Sequence, residues 1–255
     1  MNPRSDIHDR LALSLKLLDR LAHEPELGGW SGLGLAVQAY QKRGPEVIAR
    51  VARLAETSGR RLMVRLVKGA YWDTEIKRAQ QFGRTDYPVF TTKAATDLNY
   101  LVCAKAMIEA APHIYSQFAT HNAHSLAAVY KMASERGVKI EFQRLHGMGE
   151  ALHEAVRKTE GTHCRIYAPV GAHSDLLAYL VRRLLENGAN SSFVHQFSDP
   201  DVSAEQLAVD PRDIASRPST IATGLTLLDP ERRNSRGYDL GEPGVPEALM
   251  AAIAK

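Results

Sequence analysis

The sequence predicts an α/β protein built on a parallel sheet. Strand-length and helix-length segments alternate five times before about residue 194, the signature of successive βα units. The strands are apolar but carry polar residues toward their C-terminal ends, at Gln38, Arg65, Thr120, Gln143 and Tyr167. Both (β/α)8 barrels and doubly wound sheets place their sites at that end. No strand leads into a Gly-x-Gly-x-x-Gly turn, which argues against a Rossmann nucleotide site.

Asp6 to Glu24 reads as an amphipathic helix, with Leu11, Leu15, Leu18 and Ala22 at helical spacing and Pro25 as its stop. Gly32 to Tyr40 has strand length. Pro45 suits the first turn of a helix that carries Val47, Ile48, Val51, Leu54 and Ala55 and ends near Gly59. Arg61 to Val67 is a strand, and Thr92 to Ala111 a helix ended by Pro112. Ile114 to Thr120 (strand) and Ser125 to Arg136 (helix, closed by Gly137) follow. Then come Lys139 to Leu145 (strand) and Glu150 to Lys158 (helix). Arg165 to Val170 is the last strand, and Asp175 to Asn187 a helix with Gly188 beyond its end. From Ser198 to Gly244 the chain is rich in Pro, Asp, Ser and Arg without an apolar period, so it reads as a linker or extended arm. A short Ala/Leu helix follows from Pro246.

Composition narrows the classes. The 255 residues are 44% hydrophobic and 24% charged, the balance of a soluble globular chain. The net charge is +3 with scattered Lys and Arg, which gives no support for nucleic-acid binding. Cys103 and Cys164 match no metal spacing and read as two buried thiols in a reducing cytoplasm. No apolar run nears the roughly 20 residues that span a bilayer.

Four segments could do chemistry. In Arg65-Leu66-Val67-Lys68-Gly69-Ala70-Tyr71-Trp72-Asp73, a strand-end arginine is a permanent cation that can bond an electron-accepting ring. Gly69 and Ala70 permit close approach of a planar group. The alternative is a surface Arg and Lys beside aromatics packed in a loop. In Thr120-His121-Asn122-Ala123-His124, the His-x-x-His spacing lacks the flanking ligands of a metal site. No metal is expected, and hydrogen bonding to a cofactor or to backbone is the reading. Tyr179, Arg182, Arg183 and Glu186 fall on roughly one helix face. Two adjacent cations there suit a carboxylate or phosphate; the alternative is a solvated face with an Arg182–Glu186 or Arg183–Glu186 pair. Phe142-Gln143-Arg144-Leu145-His146-Gly147-Met148-Gly149 is a strand followed by a tight turn.

Taken together, the segments GLAVQAYQKR, RLVKGAYWD, YPVFTTK, QFATHNAHSL, FQRLHGMGE, RIYAPVG and LLAYLVRRLLENGAN occur in that order. The set resembles the proline dehydrogenase domain of bifunctional proline utilization A proteins, over about Asp9 to Phe193. Pro230 to Gly237 resembles the lead-in to that family's aldehyde dehydrogenase domain. The resemblance implies residues 1–194 as the C-terminal part of a proline dehydrogenase barrel and 195–255 as a linker toward a second domain. The fold implied is an incomplete (β/α)8 barrel with about five C-terminal βα units.

The same resemblance implies oxidation of L-proline to pyrroline-5-carboxylate by hydride transfer to FAD, with electrons passing to a quinone. Arg65, Tyr167, Arg182 and Arg183 would be catalytic. Ala70, Tyr71, Leu145, Tyr167, Tyr179, Arg182 and Arg183 would hold proline. Gln38, Arg65, Val67, Lys68, Gly69, Ala70, Trp72, Thr91, Lys93, Thr96, Thr120, His121, Asn122, Gln143, Leu145, Glu186 and Ser192 would line the cofactor. The implied location is the cytoplasm; peripheral contact with the inner membrane and a homo-oligomer stay open. The family's first three strands, which bring a lysine and an aspartate to the substrate, have no counterpart here. Arg4 stands at the aligned aspartate position, and the resemblance gives no ground for putting Asp6 in its place. A fragment with reduced stability and activity is therefore expected.

Overall fold

A computed structural model of the chain describes residues 10–188, 196, 199–240 and 244–254, without the side chains of 178 and 185–188. Five strands form one all-parallel sheet in sequence order: β1 (Gly34–Gln38), β2 (Leu62–Val67), β3 (Ile114–Ala119), β4 (Glu141–Leu145) and β5 (His163–Tyr167). Consecutive order, with a helix in each crossover, is the arrangement of a (β/α)8 barrel rather than of a sheet that reverses at a switch point.

The helices are α1 (Leu11–Ala22), α2 (Gly44–Ser58), α3 (Trp72–Gln81), α4 (Lys93–Glu109), α5 (Ala123–Glu135), α6 (Glu150–Glu160) and α7 (His173–Gly188). Local chemistry sets their ends. Pro45 opens α2, and Gly59 closes it in the left-handed conformation at φ 65°. Thr92 caps α4 and Asn122 caps α5, each accepting a backbone N–H with its side-chain oxygen.

Strand alternation divides the sheet into two faces. Leu62, Val64, Leu66, Ile114, Phe118 and Phe142 point outward and are buried against Val47, Ile48 and Val51 of α2 and Tyr100, Ala104 and Met107 of α4. Each such side chain contributes about 1.5–3 kcal/mol of burial. The intervening residues, among them Arg65, Gln117, Glu141, Gln143 and Arg165, point inward. Close packing between the first two strands needs Gly34, because a Cβ there would lie 2.0 Å from the Met63 carbonyl oxygen.

Three elements differ from expectation. Trp72–Gln81 is a helix that sequence periodicity did not indicate; it buries Glu75, Ile76, Ala79 and Gln80, a mixed polar set. The last strand is His163–Tyr167 rather than Arg165–Val170, and Pro169, which has no N–H to donate, stands beyond it. Gly188 lies inside α7 rather than beyond it.

The segment read as an extended arm instead folds back on the barrel units. It forms α8 (Ala204–Leu207) and α9 (Pro211–Ile214), the latter packed on α4, before α10 (Val245–Ile253). Tyr87 Oη donates to the Ala222 carbonyl at 2.5 Å, Gln80 Nε2 donates to the same oxygen, and Arg84 pairs with Asp239 at 3.0 Å. Gly237 N donates to Gly83 O at 3.0 Å. A Cβ on Gly237 would sit 1.6 Å from the Phe82 carbonyl oxygen. Gly237→Ala should therefore free the tail from α3 while the sheet persists. Limited proteolysis between residues 217 and 240 should speed up several-fold with an unchanged far-UV circular dichroism spectrum.

Candidate active site

The C-terminal ends of β2, β4 and β5 bring three inward side chains together. Arg65 Nε donates to Gln143 Oε1 at 2.7 Å, and Arg65 Nη2 donates to Tyr167 Oη at 2.6 Å. The Arg65 guanidinium also lies 4.7 Å from the centre of the Tyr167 ring. Since a guanidinium only donates, Tyr167 must accept here and keeps its own proton for another acceptor. Among the described residues, the Arg65 Nη1 hydrogens face no partner in this network, so they can serve a group at the mouth of the sheet.

The loop after β2 forms one wall. Gln38 Oε1 accepts from the Ala70 backbone N–H at 3.0 Å, which ties the end of β1 to that loop. Gly69 takes φ 146°, and a Cβ on it would enter the Tyr40 ring at 2.4 Å. The close approach expected at this glycine is thus occupied by the chain's own buried tyrosine. Trp72 Nε1 donates to Phe90 O at 2.8 Å and fixes the indole at the start of α3.

A basic cluster lies at the N-terminus of α4, beside Thr91 and Thr96. Lys68, at the end of β2, pairs with Asp97, and Lys93 pairs with the same carboxylate at 2.6 Å. Burial pushes the Lys68 amine down, although Asp97 opposes this. Burial also pushes Asp97 up, but Lys68 and Lys93 outweigh it and hold the carboxyl below its usual range. Two cations share one anion there, at a helix end that itself favours negative charge.

Two buried imidazoles nearby, His121 and His153, are pushed toward the neutral form. Burial first, then His153, Arg183, Arg144 and Arg65, pushes His121 down to about 4. Its Nε2 accepts the Leu145 N–H at 3.2 Å, so its proton resides on Nδ1. His153 is also lowered, chiefly by burial, and binds the Thr120 carbonyl at 2.9 Å. Thr120 Oγ1 accepts from Asn122 N. The Thr120–Asn122 turn is therefore held rigidly at the strand end.

Helix α7 delivers the two expected cations. The Arg182 guanidinium stacks 4.5 Å from the centre of the Tyr71 ring, and Arg183 lies 5.3 Å from that of Tyr179. Tyr71 comes from the β2–α3 loop, so Arg182 joins α7 to the loop that follows the Arg65 strand. The alternative of an Arg–Glu186 pair, and the expected Ser192 contact, fall on side chains or residues outside the described set.

Sequence reasoning missed Asp97, Glu141 and His153. Asp97 stands four residues after Lys93 on a helix, and Glu141 two before Gln143 on a strand, so spacing alone puts each pair on a shared face.

The model of the proline dehydrogenase family matches residues 6–196. The chain belongs to the proline dehydrogenase family. It is 55% identical to the bifunctional protein PutA of Escherichia coli over 99% of its own length, and 50% identical to that of Rhizobium meliloti. Proline dehydrogenase 1 of Bacillus subtilis is 30% identical over 64% of the chain. The chain spans only about a fifth (20%) of the Escherichia coli protein. Its fold superimposes on a crystal structure of Bradyrhizobium japonicum proline utilization A with a TM-score of 0.90 at 52% identity, covering 96% of this chain and 26% of that one. The corresponding TM-score is 0.86 for the Bdellovibrio bacteriovorus protein inactivated by N-propargylglycine, at 33% identity and with 97% of this chain covered against 26% of that one. The five parallel βα units are thus part of this family's barrel, as the sequence implied.

His121 yields a pH prediction for this family member. Its folded value of about 4 lies below the ordinary 6.5. The stability it provides is complete above pH 6.5 and is lost as pH falls toward 4. His121→Gln keeps an acceptor for Leu145 N–H but does not titrate. Between pH 6.5 and 4 the wild type should therefore lose on the order of 3 °C more in Tm than the variant.

Proposed function

We propose that the chain carries the flavin- and substrate-facing part of a site that oxidises L-proline to pyrroline-5-carboxylate, with FAD as hydride acceptor and a quinone as the onward electron acceptor. The observation that carries this reading is the placement of Arg65. Two of its nitrogens are fixed by Gln143 and Tyr167, and it shares one wall with the Arg182–Tyr71 stack. The donor set fits a flavin nucleotide. Arg65 Nη1 and Gln38 suit the ring, while Lys68, Lys93 and the N-termini of α4 and α5 suit a pyrophosphate. Val67, Gly69, Ala70, Trp72, Thr91, Thr96, Thr120, His121, Asn122, Gln143 and Leu145 would line that path.

Bound FAD supplies the hydride acceptor. The protein supplies position and charge. Arg182 and Arg183 present permanent cations to the proline carboxylate, as a guanidinium pair can do bidentately. Tyr71 and Tyr179, stacked on those arginines, offer apolar faces that cover the substrate ring and exclude water. With FAD bound, Arg65 would offer donors that stabilise negative charge developing on the hydride acceptor. Tyr167 holds Arg65 and offers its hydroxyl proton to the substrate side. His121, neutral near pH 7, adds no further charge. N-propargylglycine, which inactivates the Bdellovibrio relative, shares proline's carboxylate and secondary amine, in keeping with a site for such acids.

Among the described residues no helix is long and apolar enough to cross a membrane. A second reading is favoured by the open edges of β1 and β5 among the described residues: a barrel piece that takes FAD only together with strands that complete it.

The test is the visible spectrum of the chain with FAD, before and after L-proline. A structured flavin band that bleaches with proline is the expected result. A band that does not respond, with no reaction toward N-propargylglycine either, contradicts the oxidation reading. Flavin binding only on addition of the remaining barrel favours the second. Arg182→Ala or Arg183→Ala should raise the half-saturating proline concentration roughly 10- to 100-fold, the cost of about 1.5–3 kcal/mol for a lost charged hydrogen bond.

A further inference from the structure

Behind Arg65, the inward face of β4 carries a carboxylate, Glu141, that neither the ring-facing nor the proline-facing set includes. It is 5% exposed. Five donors converge on it. Oε1 accepts from Gln143 Nε2 at 2.8 Å, Arg165 Nε at 2.8 Å and Gln117 Nε2 at 3.1 Å. Oε2 accepts from Arg165 Nη2 at 2.7 Å and Tyr115 Oη at 3.1 Å. Burial pushes the Glu141 carboxyl up, but Arg165 and Gln143 outweigh this and hold it below its usual range. It is an acceptor only, with about four lone-pair positions all in use.

That saturation has a geometric result two residues along the strand. Gln143 stands between an acceptor-only group and a donor-only group. Its amide nitrogen must face Glu141, which turns its Oε1 toward Arg65 Nε at 2.7 Å. The flipped amide would set oxygen against carboxylate and NH2 against guanidinium. Strand register supports the alignment, with Arg65 opposite Gln117 and Gln117 opposite Glu141.

We infer that Glu141 is a positioning residue: a buried acceptor that fixes the Gln143 amide and through it the Arg65 guanidinium, without touching cofactor or substrate. The inference rests on the role proposed for Arg65. A merely structural Glu141 would act through Arg165, joining β4 to the exposed strand β5.

The discriminating readout is the Arg65 Nε–H signal in ¹H–¹⁵N NMR of the full chain, assigned by its loss in Arg65→Lys. Glu141→Leu should move that signal and speed its exchange with water at least tenfold. Glu141→Gln should restore most of the wild-type signal, because its carbonyl oxygen can still accept from Gln143. Arg165→Leu should leave the signal in place. With FAD and saturating proline, Glu141→Leu should slow flavin bleaching about tenfold with half-saturation little changed, since the α7 arginines are untouched. Should Glu141→Leu not fold, Glu141→Leu/Arg165→Leu replaces the pair by apolar groups and is read identically. An unmoved Arg65 signal in either variant overturns the inference, as does an equal shift in Arg165→Leu, or unfolding of both Glu141→Leu variants. A wild type that takes no FAD would refute the flavin reading alone, while the NMR comparison still decides the role of Glu141.

Discussion

The inward face of the sheet gathers more hydrogen-bond donors than acceptors, and one buried carboxylate sets their order. Arg65, Gln117, Gln143 and Arg165 lie on neighbouring strands whose register the backbone ladder fixes. In a low-dielectric interior an unpaired donor is costly. The network therefore has few arrangements, and Glu141 selects one of them. Arg65 is held from behind and from the side, which leaves its remaining donors toward the strand C-termini. The outer face has no such role; its Leu, Ile, Val and Phe residues bind the helices and keep the strands in register.

Much of this was legible in the sequence. The five strands and the polar residues at their ends follow from alternation, since a strand with one apolar face exposes every second residue to the other. Spacing placed Tyr179, Arg182, Arg183 and Glu186 on roughly one helix face; in the structure Arg183 lies over Tyr179 while Arg182 stacks on Tyr71 of the β2–α3 loop. What was not legible has physical causes. Helix α3 lacks an apolar stripe because it buries Glu75 and Gln80 through polar contacts. The tail showed no period because close backbone approach at Gly83, Gly224 and Gly237, with only isolated apolar contacts such as Ile221 against the cluster of Tyr40, Ile76, Tyr87 and Val89, seats it. Glu141 and Asp97 escaped notice because they act on other residues rather than on the mouth itself. The close approach at Gly69 was foreseen, yet the structure fills it with Tyr40.

Family membership and chain length bear on different questions. The chain spans about a fifth of the bifunctional relatives, and β1 and β5 present open edges among the described residues. Open edges normally seek pairing. The polar network adds side-chain ties to the backbone ladder, running from β2 through β4 to the edge strand β5.

The central claim is that Arg65 and Glu141, which make no direct bond to each other, act as one unit through Gln143. A double-mutant cycle on the unfolding free energy of Arg65→Met and Glu141→Leu measures this directly. A coupling of about 1 kcal/mol between the two sites is expected, the magnitude typical of residues in one network. Additivity within about 0.3 kcal/mol would contradict it and would reduce the inward face to independent pairs.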